Sequence, residues 1–154
     1  MKKVLSLLAL LYTFASAFMF QSVPPAKAHI LQKGKEAEYC SNCGMDLAMF
    51  YRTNHTAKIN GKLKEFCSLH CLAEVLNSGA KVSDIKVIDA KSLKWIEAKK
   101  AYYVVGSKVK GTMSRISKYA FANISDAKEF QHLKGGKIMT FEQALAVAKK
   151  DFKK

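Results

Sequence analysis

The chain has 154 residues, a formal net charge of +14 and four cysteines. Almost all of the positive charge is lysine, and arginine, which reads bases and phosphates through paired hydrogen bonds, occurs only as Arg52 and Arg115. We therefore exclude nucleic acid as a partner. The charge is interpreted as a solvated surface, with docking to an anionic membrane face or to an acidic partner as the functional alternative.

Residues 1–28 have the pattern of a signal peptide. Two lysines precede an apolar run over residues 4–20, and small-x-small sites follow it. Cleavage after Ala17 and cleavage after Ala28 both fit, and the sequence does not choose between them. An uncleaved helix is the alternative, although the run is near the lower limit of about 17–25 residues that spans a bilayer. We expect a periplasmic protein that is soluble or anchored by this helix.

A first strand–strand–helix–strand unit is predicted over residues 39–97, after a polar, lysine-rich tether at residues 29–38. Asn60-Gly61 joins the first two strands, and this pair favours a tight hairpin. The helix is predicted to begin after Ser68, whose hydroxyl can cap it, and to end at Gly79. A strand at residues 85–88 follows.

Residues 98–154 repeat this order. Strands are predicted at residues 101–106 and 119–122, and a helix capped by Ser125 follows them. A terminal helix begins after Thr140. Weak echoes of the first half, consistent in spacing, indicate duplication. We expect an α+β fold in which two similar small ββαβ units pack together.

The four cysteines lie close in sequence, as Cys40-x-x-Cys43 and Cys67-x-x-x-Cys71. Thiolates are soft ligands that select Cu(I), and a four-residue step places two side chains about one helical turn apart. Disulfides, structural Zn(II) and thiol redox exchange are the alternatives. Spacing alone leaves all of them open.

Two methionines favour copper over zinc. Met45 lies inside the first cysteine motif and Met113 lies in a loop bounded by glycines, and thioethers bind Cu(I) but serve Zn(II) poorly. Met49 and Met139 stand in apolar surroundings and are predicted to be core residues. No catalytic residue is predicted. The candidate metal ligands are Cys40, Cys43, Met45, Cys67, His70, Cys71 and Met113.

Several stretches resemble the NosL family, the accessory copper chaperones of nitrous-oxide reductase. They are Tyr39-Cys-Ser-Asn-Cys-Gly-Met45, Ser92-Leu-Lys-Trp-Ile-Glu-Ala98, Ala101-Tyr-Tyr-Val-Val-Gly106 and the loop ending in Met113. The resemblance implies two similar ββαβ units and copper ligation by Cys43, Met45 and Met113. The chain departs from the family in lacking a lipid-bearing cysteine, in having Gly-Thr-Met-Ser where Gly-Pro-Met-Gly is usual, and in residues 66–71, which resemble half of a heavy-metal-binding TRASH-type pattern.

The expected function is therefore non-enzymatic delivery of Cu(I) to nitrous-oxide reductase or to its membrane-bound copper-assembly machinery. A periplasmic heavy-metal sequestration protein and an organomercurial-processing thiol enzyme are the alternatives. We also expect Cys67 and Cys71 to be partly independent of the motif that contains Cys43.

Overall fold

The computed structural model of the protein describes residues 19–153. Most of the predicted signal peptide, residues 1–18, lies outside this range. Among the helices of residues 19–153, none has the length and apolar character needed to cross a bilayer.

The first unit is a four-stranded antiparallel sheet with one helix. Its elements are β1 (His55–Ile59), β2 (Lys62–Phe66), α1 (Leu69–Asn77), β3 (Val82–Ile88) and β4 (Trp95–Glu97), and the strand order is β2-β1-β3-β4. Asn60 and Gly61 have φ angles of 50° and 79°, as a two-residue hairpin between β1 and β2 requires. Ser68 caps α1 by accepting a hydrogen bond from the backbone N–H of Cys71.

The second unit repeats this order with a smaller sheet. Its elements are β5 (Tyr102–Val105), β6 (Lys118–Phe121), α2 (Ile124–Lys134), β7 (Lys137–Met139) and α3 (Phe141–Lys150), and the antiparallel strand order is β6-β5-β7. Thr140 begins α3 with a capping box that includes Gln143. The predicted α+β fold is confirmed, with β4 and α3 as additions to the two ββαβ units.

A shared core joins the two units. Phe66 and Leu72 of the first unit lie in one buried cluster with Tyr103 and Phe141 of the second. The backbone N–H of Ala90 also donates a 2.8 Å hydrogen bond to the carbonyl of Ala120. Because apolar burial is shared, removal of either unit would expose the other's core.

The segment predicted as a tether is packed into the first unit. Gln32 is buried, and its side-chain oxygen accepts hydrogen bonds from the Ser41 hydroxyl and from the backbone N–H of Glu65. The backbone N–H of Leu31 donates to the Glu65 carboxylate. The two contacts with Glu65 join residues more than thirty positions apart in the chain, so local polarity could not predict them.

The end of the apolar N-terminal run is also part of the fold. Phe20 packs edge-on against Tyr119 with ring centroids 5.1 Å apart, and Val23 is buried. The Arg52 guanidinium donates hydrogen bonds of 2.8 Å to the carbonyls of Phe20 and Ser22. Residues 19–28, predicted to belong to the signal peptide if cleavage follows Ala28, therefore supply core contacts.

Two local predictions are wrong. Asn123 rather than Ser125 occupies the N-cap position of α2, because the helix begins at Ile124, two residues earlier than a Ser125 cap implies. Met49 is 47 % exposed instead of lying in the core, because the turn after the cysteine motif turns it towards solvent. Met139 is partly buried against the shared core.

Candidate metal site

The four cysteine thiols converge on one point. Their Sγ atoms all lie within 4.8 Å of one another, with 3.5 Å between Cys43 and Cys67 and 3.7 Å between Cys67 and Cys71. Four thiolates placed tetrahedrally at a metal–sulfur distance of about 2.3 Å would stand about 3.8 Å apart. The arrangement therefore matches a thiolate set that surrounds a single ion.

A tight turn brings Cys40 and Cys43 together. The backbone N–H of Cys40 donates to the carbonyl of Met45 at 2.8 Å, and the N–H of Gly44 donates to the carbonyl of Cys40 at 2.9 Å. Gly44 has a φ angle of 76°, a left-handed conformation that glycine adopts without steric cost. The turn thus reverses the chain directly beneath the two thiols.

The junction of β2 and α1 supplies the other two thiols. Cys67 follows the last residue of β2, and Cys71 lies in the first turn of α1, which Ser68 caps. The N–H of Ser41 donates to the carbonyl of Glu65 at 2.9 Å and so attaches the Cys40 turn to β2. Hydrogen bonds of the backbone therefore set the separation of the two cysteine pairs.

The cluster is accessible from one side. Cys40, Cys67 and Cys71 are buried, whereas Cys43 is half-buried. An ion would reach or leave the thiols past Cys43, since the other three cysteines are buried.

The thiols share their protons unequally. Hydrogen bonds from the Cys67 and Cys71 thiols hold the pKa of Cys40 far below its ordinary value. Contact with Cys40 raises the pKa of Cys67 far above the ordinary value of a cysteine thiol. Contact with Cys40 also raises the pKa of Cys71, to about 12. The thiols therefore titrate as a coupled group. Metal binding to thiolates must release the protons that the thiols hold, so metal affinity will depend on pH.

The expected independence of the two cysteine pairs is wrong. Cys67 and Cys71 lie in the same cluster as Cys40 and Cys43, because the Cys40 turn is attached to the end of β2. Sequence spacing could not show this, since the contact joins residues 24 or more positions apart.

The other three predicted ligands are placed differently. Met45 is partly buried against the core cluster that includes Cys40. The imidazole of His70 lies against Asp151, at 3.2 Å from Nδ1, and against the ring of Phe152. Met113 is 44 % exposed. Metal binding by Met45, His70 and Met113 stays a prediction.

Two polar residues that support the cluster carry no signal in the sequence. Glu65 is fully buried, and burial raises the pKa of its carboxyl to about 7 although that carboxyl accepts a hydrogen bond from the backbone of Leu31. Thr53 Oγ1 lies 2.7 Å from the carbonyl oxygen of Cys67. Isolated Glu and Thr residues near strands are usually exposed, and only the tertiary contacts reveal their positions.

Comparisons with known proteins identify the family of the chain. The NosL family profile matches residues 32–146. The copper-binding lipoprotein NosL of Stutzerimonas stutzeri is 31 % identical over an alignment of 134 residues that covers 80 % of this chain and 67 % of that protein. The crystal structure of the copper chaperone NosL from Shewanella denitrificans superposes with a TM-score of 0.57 and 26 % identity, covering 77 % of this chain and 96 % of that one. The chain belongs to the NosL family.

Proposed function

We propose that the protein is a periplasmic, non-enzymatic carrier of Cu(I) that supplies copper for the maturation of nitrous-oxide reductase. The observation that carries the proposal is the convergence of four thiols within 4.8 Å in a NosL-family chain. Relatives named as a copper-binding lipoprotein and as a copper chaperone support copper as the cargo.

The donor set suits Cu(I) because thiolates are soft ligands. Cys43 is the half-buried member of the set, so an acceptor's ligand can approach the ion there and replace one sulfur at a time. The thioethers of Met45 and Met113 are proposed as additional ligands during loading or release. A carrier needs such stepwise exchange, since its cargo must leave without unfolding the protein.

The proposed recipient is nitrous-oxide reductase or its membrane-bound copper-assembly machinery. A formal charge of +14 favours an acidic docking face on that recipient, or an anionic membrane next to it. Electrostatic attraction of this kind raises association rates and weakens as salt is added.

The proposal is tested by anaerobic titration of the reduced protein with Cu(I), Zn(II) and Hg(II) against competing chelators. We expect Cu(I) to bind far more tightly than Zn(II).

The double variant Cys67→Ala, Cys71→Ala should lose most Cu(I) affinity, because it removes half of one cluster. A Zn(II) affinity equal to that for Cu(I) would overturn the carrier function. Transfer from the loaded protein to copper-depleted nitrous-oxide reductase then tests the recipient.

Burial of three of the four thiols favours a second candidate, metal sequestration. A closed set of thiolates retains its ion, whereas a carrier gives it up. The two functions are separated by the rate at which the loaded protein passes Cu(I) to a chelator of higher affinity. Transfer within minutes supports a carrier, and retention for many hours supports sequestration.

A further inference from the structure

One carboxylate connects two segments that the thiol cluster does not explain. Asp151, at the end of α3, accepts a 2.8 Å hydrogen bond from the hydroxyl of Ser114 at Oδ2, and the same oxygen lies 3.2 Å from Nδ1 of His70. His70 is on α1, one residue before Cys71. Ser114 follows Met113 in the segment of residues 106–117, which we call the Met113 loop. The end of α3 thus joins the loop to the helix that carries Cys71.

We infer that Asp151 is a positioning residue that holds the Met113 loop, and with it the Met113 thioether, at a fixed place beside the thiol-bearing helix. The inference rests on the proposed function, in which Met113 takes part in holding or releasing Cu(I).

The backbone of Met113 requires such support. Its φ angle is 57°, in the left-handed region, where residues other than glycine are rarely found. Backbone of this kind persists only where its surroundings fix it, and it concentrates at functional sites.

Hydrogen bonds fix the residue on either side of Met113. Thr112 Oγ1 lies 2.8 Å from Thr53 Oγ1, which in turn contacts the carbonyl of Cys67. On the other side, Ser114 is held by Asp151. Both anchors therefore lead to the segment of residues 67–71, which provides two of the four thiols.

Lys118 determines which way the Ser114 hydroxyl points. The Lys118 ammonium donates hydrogen bonds of 3.0 Å to Ser114 Oγ and of 2.8 Å to the carbonyl of Ile116. An ammonium group can only donate hydrogen bonds. The Ser114 hydroxyl therefore accepts from Lys118 and donates its one hydrogen to Asp151. Without the carboxylate, that hydrogen has no partner among these contacts, and the loop loses its connection to the end of α3.

The test compares Asp151→Ala and Ser114→Ala with the wild-type protein. Asp126→Ala is the matched control, because Asp126 is also a carboxylate that accepts a 2.9 Å hydrogen bond, in its case from Lys91. Two quantities are measured: hydrogen exchange of residues 110–116 in the metal-free protein, and the rate at which the loaded protein passes Cu(I) to a chelator. Thermal midpoints show whether each variant is folded.

Loss of Asp151 or Ser114 should speed exchange in the loop and speed Cu(I) release by about tenfold, the lower end of what loss of a ligand-orienting partner usually does. Asp126→Ala should leave both quantities at wild-type values. Asp151→Asn, which keeps an oxygen acceptor, should restore most of the wild-type release rate. Should Asp151→Ala unfold, Ser114→Ala decides the question, since it removes one hydroxyl.

Unchanged exchange in the loop of both variants would overturn the inference. Faster exchange with unchanged Cu(I) release would also overturn it, while the carrier function would stand. If the wild-type protein bound no Cu(I), the proposed function itself would fail, and the role of Asp151 in copper release would fail with it.

Discussion

His55 Nε2 lies 3.1 Å from the hydroxyl oxygen of Tyr103, and this contact joins β1 of the first unit to β5 of the second. Neither side chain is exposed. Nδ1 of His55 lies 2.9 Å from the carbonyl of Thr53, which can only accept, so Nδ1 carries the proton and Nε2 accepts from Tyr103. The pair is a satisfied polar contact inside a shared apolar core.

Tyr103→Phe should destabilise the protein by about 1–3 kcal/mol, because it leaves the buried Nε2 of His55 without a donor. Tyr102→Phe is the matched control: Tyr102 is the preceding residue of the same strand and is 38 % exposed, so its change should stay within about 0.5 kcal/mol. Urea unfolding of the reduced, metal-free proteins measures both. Equal effects of the two variants would show that the hydroxyl of Tyr103 contributes nothing.

Two buried groups, His55 and Glu65, contribute to the pH dependence of stability in opposite directions. Burial lowers the pKa of His55 to about 4. At a pH between this value and the ordinary histidine pKa of 6.5, His55 is therefore protonated in the unfolded chain but neutral in the folded protein. Stability from His55 is therefore lost as pH falls from 6.5 to about 4. Burial raises the pKa of Glu65 to about 7. Between pH 4.5 and about 7 the Glu65 carboxyl is therefore protonated in the folded protein but ionised in the unfolded chain, so stability from Glu65 is lost as pH rises through this range.

We expect these two effects to offset each other between about pH 4.5 and 6.5 in the wild-type protein. Glu65→Gln removes one of them. The free energy of unfolding of this variant should then fall by about 3 kcal/mol more than that of the wild type from pH 7 to pH 4, because Glu65 no longer compensates. Urea unfolding of the metal-free protein across this range measures the slope. A Glu65→Gln variant with the same slope as wild type would show that the pKa of Glu65 is not raised in the folded protein.

Where the sequence predicted structure correctly, the signal was local. Asn60-Gly61 forms the hairpin because two adjacent residues adopt left-handed backbone, and Ser68 caps α1 through a bond to Cys71, three residues away. The strand β4 was not predicted, and β7 was implied by the repeated ββαβ order without bounds of its own. Each has three residues, too few for an alternating pattern to be recognised.

The parts of the site that were not predicted depend on contacts between distant residues. Residue types identified the cysteines as ligands, but the single cluster depends on long-range contacts such as the bond from the N–H of Ser41 to the carbonyl of Glu65. Gln32 and Asp151 support the site from segments predicted to be a tether and a helix end. No pattern in the sequence links them to the thiols.

The N-terminal contacts predict the outcome of truncation. A protein that begins at Phe18 keeps Phe20 against Tyr119 and keeps Val23 in the core, whereas one that begins at His29 loses both. Full burial of a side chain of this kind is worth about 1.5–3 kcal/mol, so the shorter protein should be less stable by at least about 2 kcal/mol. Thermal and urea unfolding of the two proteins measure the difference.

The same contacts favour cleavage after Ala17 over cleavage after Ala28 when the full chain is exported. Arg52 would otherwise lose its hydrogen bonds to the carbonyls of Phe20 and Ser22. Intact-mass measurement of the mature protein identifies the first residue. A mass that corresponds to His29, together with equal stability of the two truncated proteins, would contradict this prediction.

Met113 and Met49 form a matched pair for testing the predicted thioether ligand. They are 44 % and 47 % exposed, so truncation of either to alanine removes a similar amount of exposed side chain. Met113→Ala should change the free energy of unfolding by less than about 0.5 kcal/mol, because the side chain is on the surface and alanine meets the same left-handed backbone as methionine. Its Cu(I) affinity should nevertheless fall by roughly tenfold or more, since a soft donor is lost.

Met49→Ala, the control, should bind Cu(I) as the wild type does. Chelator competition under anaerobic conditions measures all three proteins. Equal losses in the two variants would mean that exposed methionines bind copper without specificity, and wild-type affinity in Met113→Ala would remove Met113 from the ligand set.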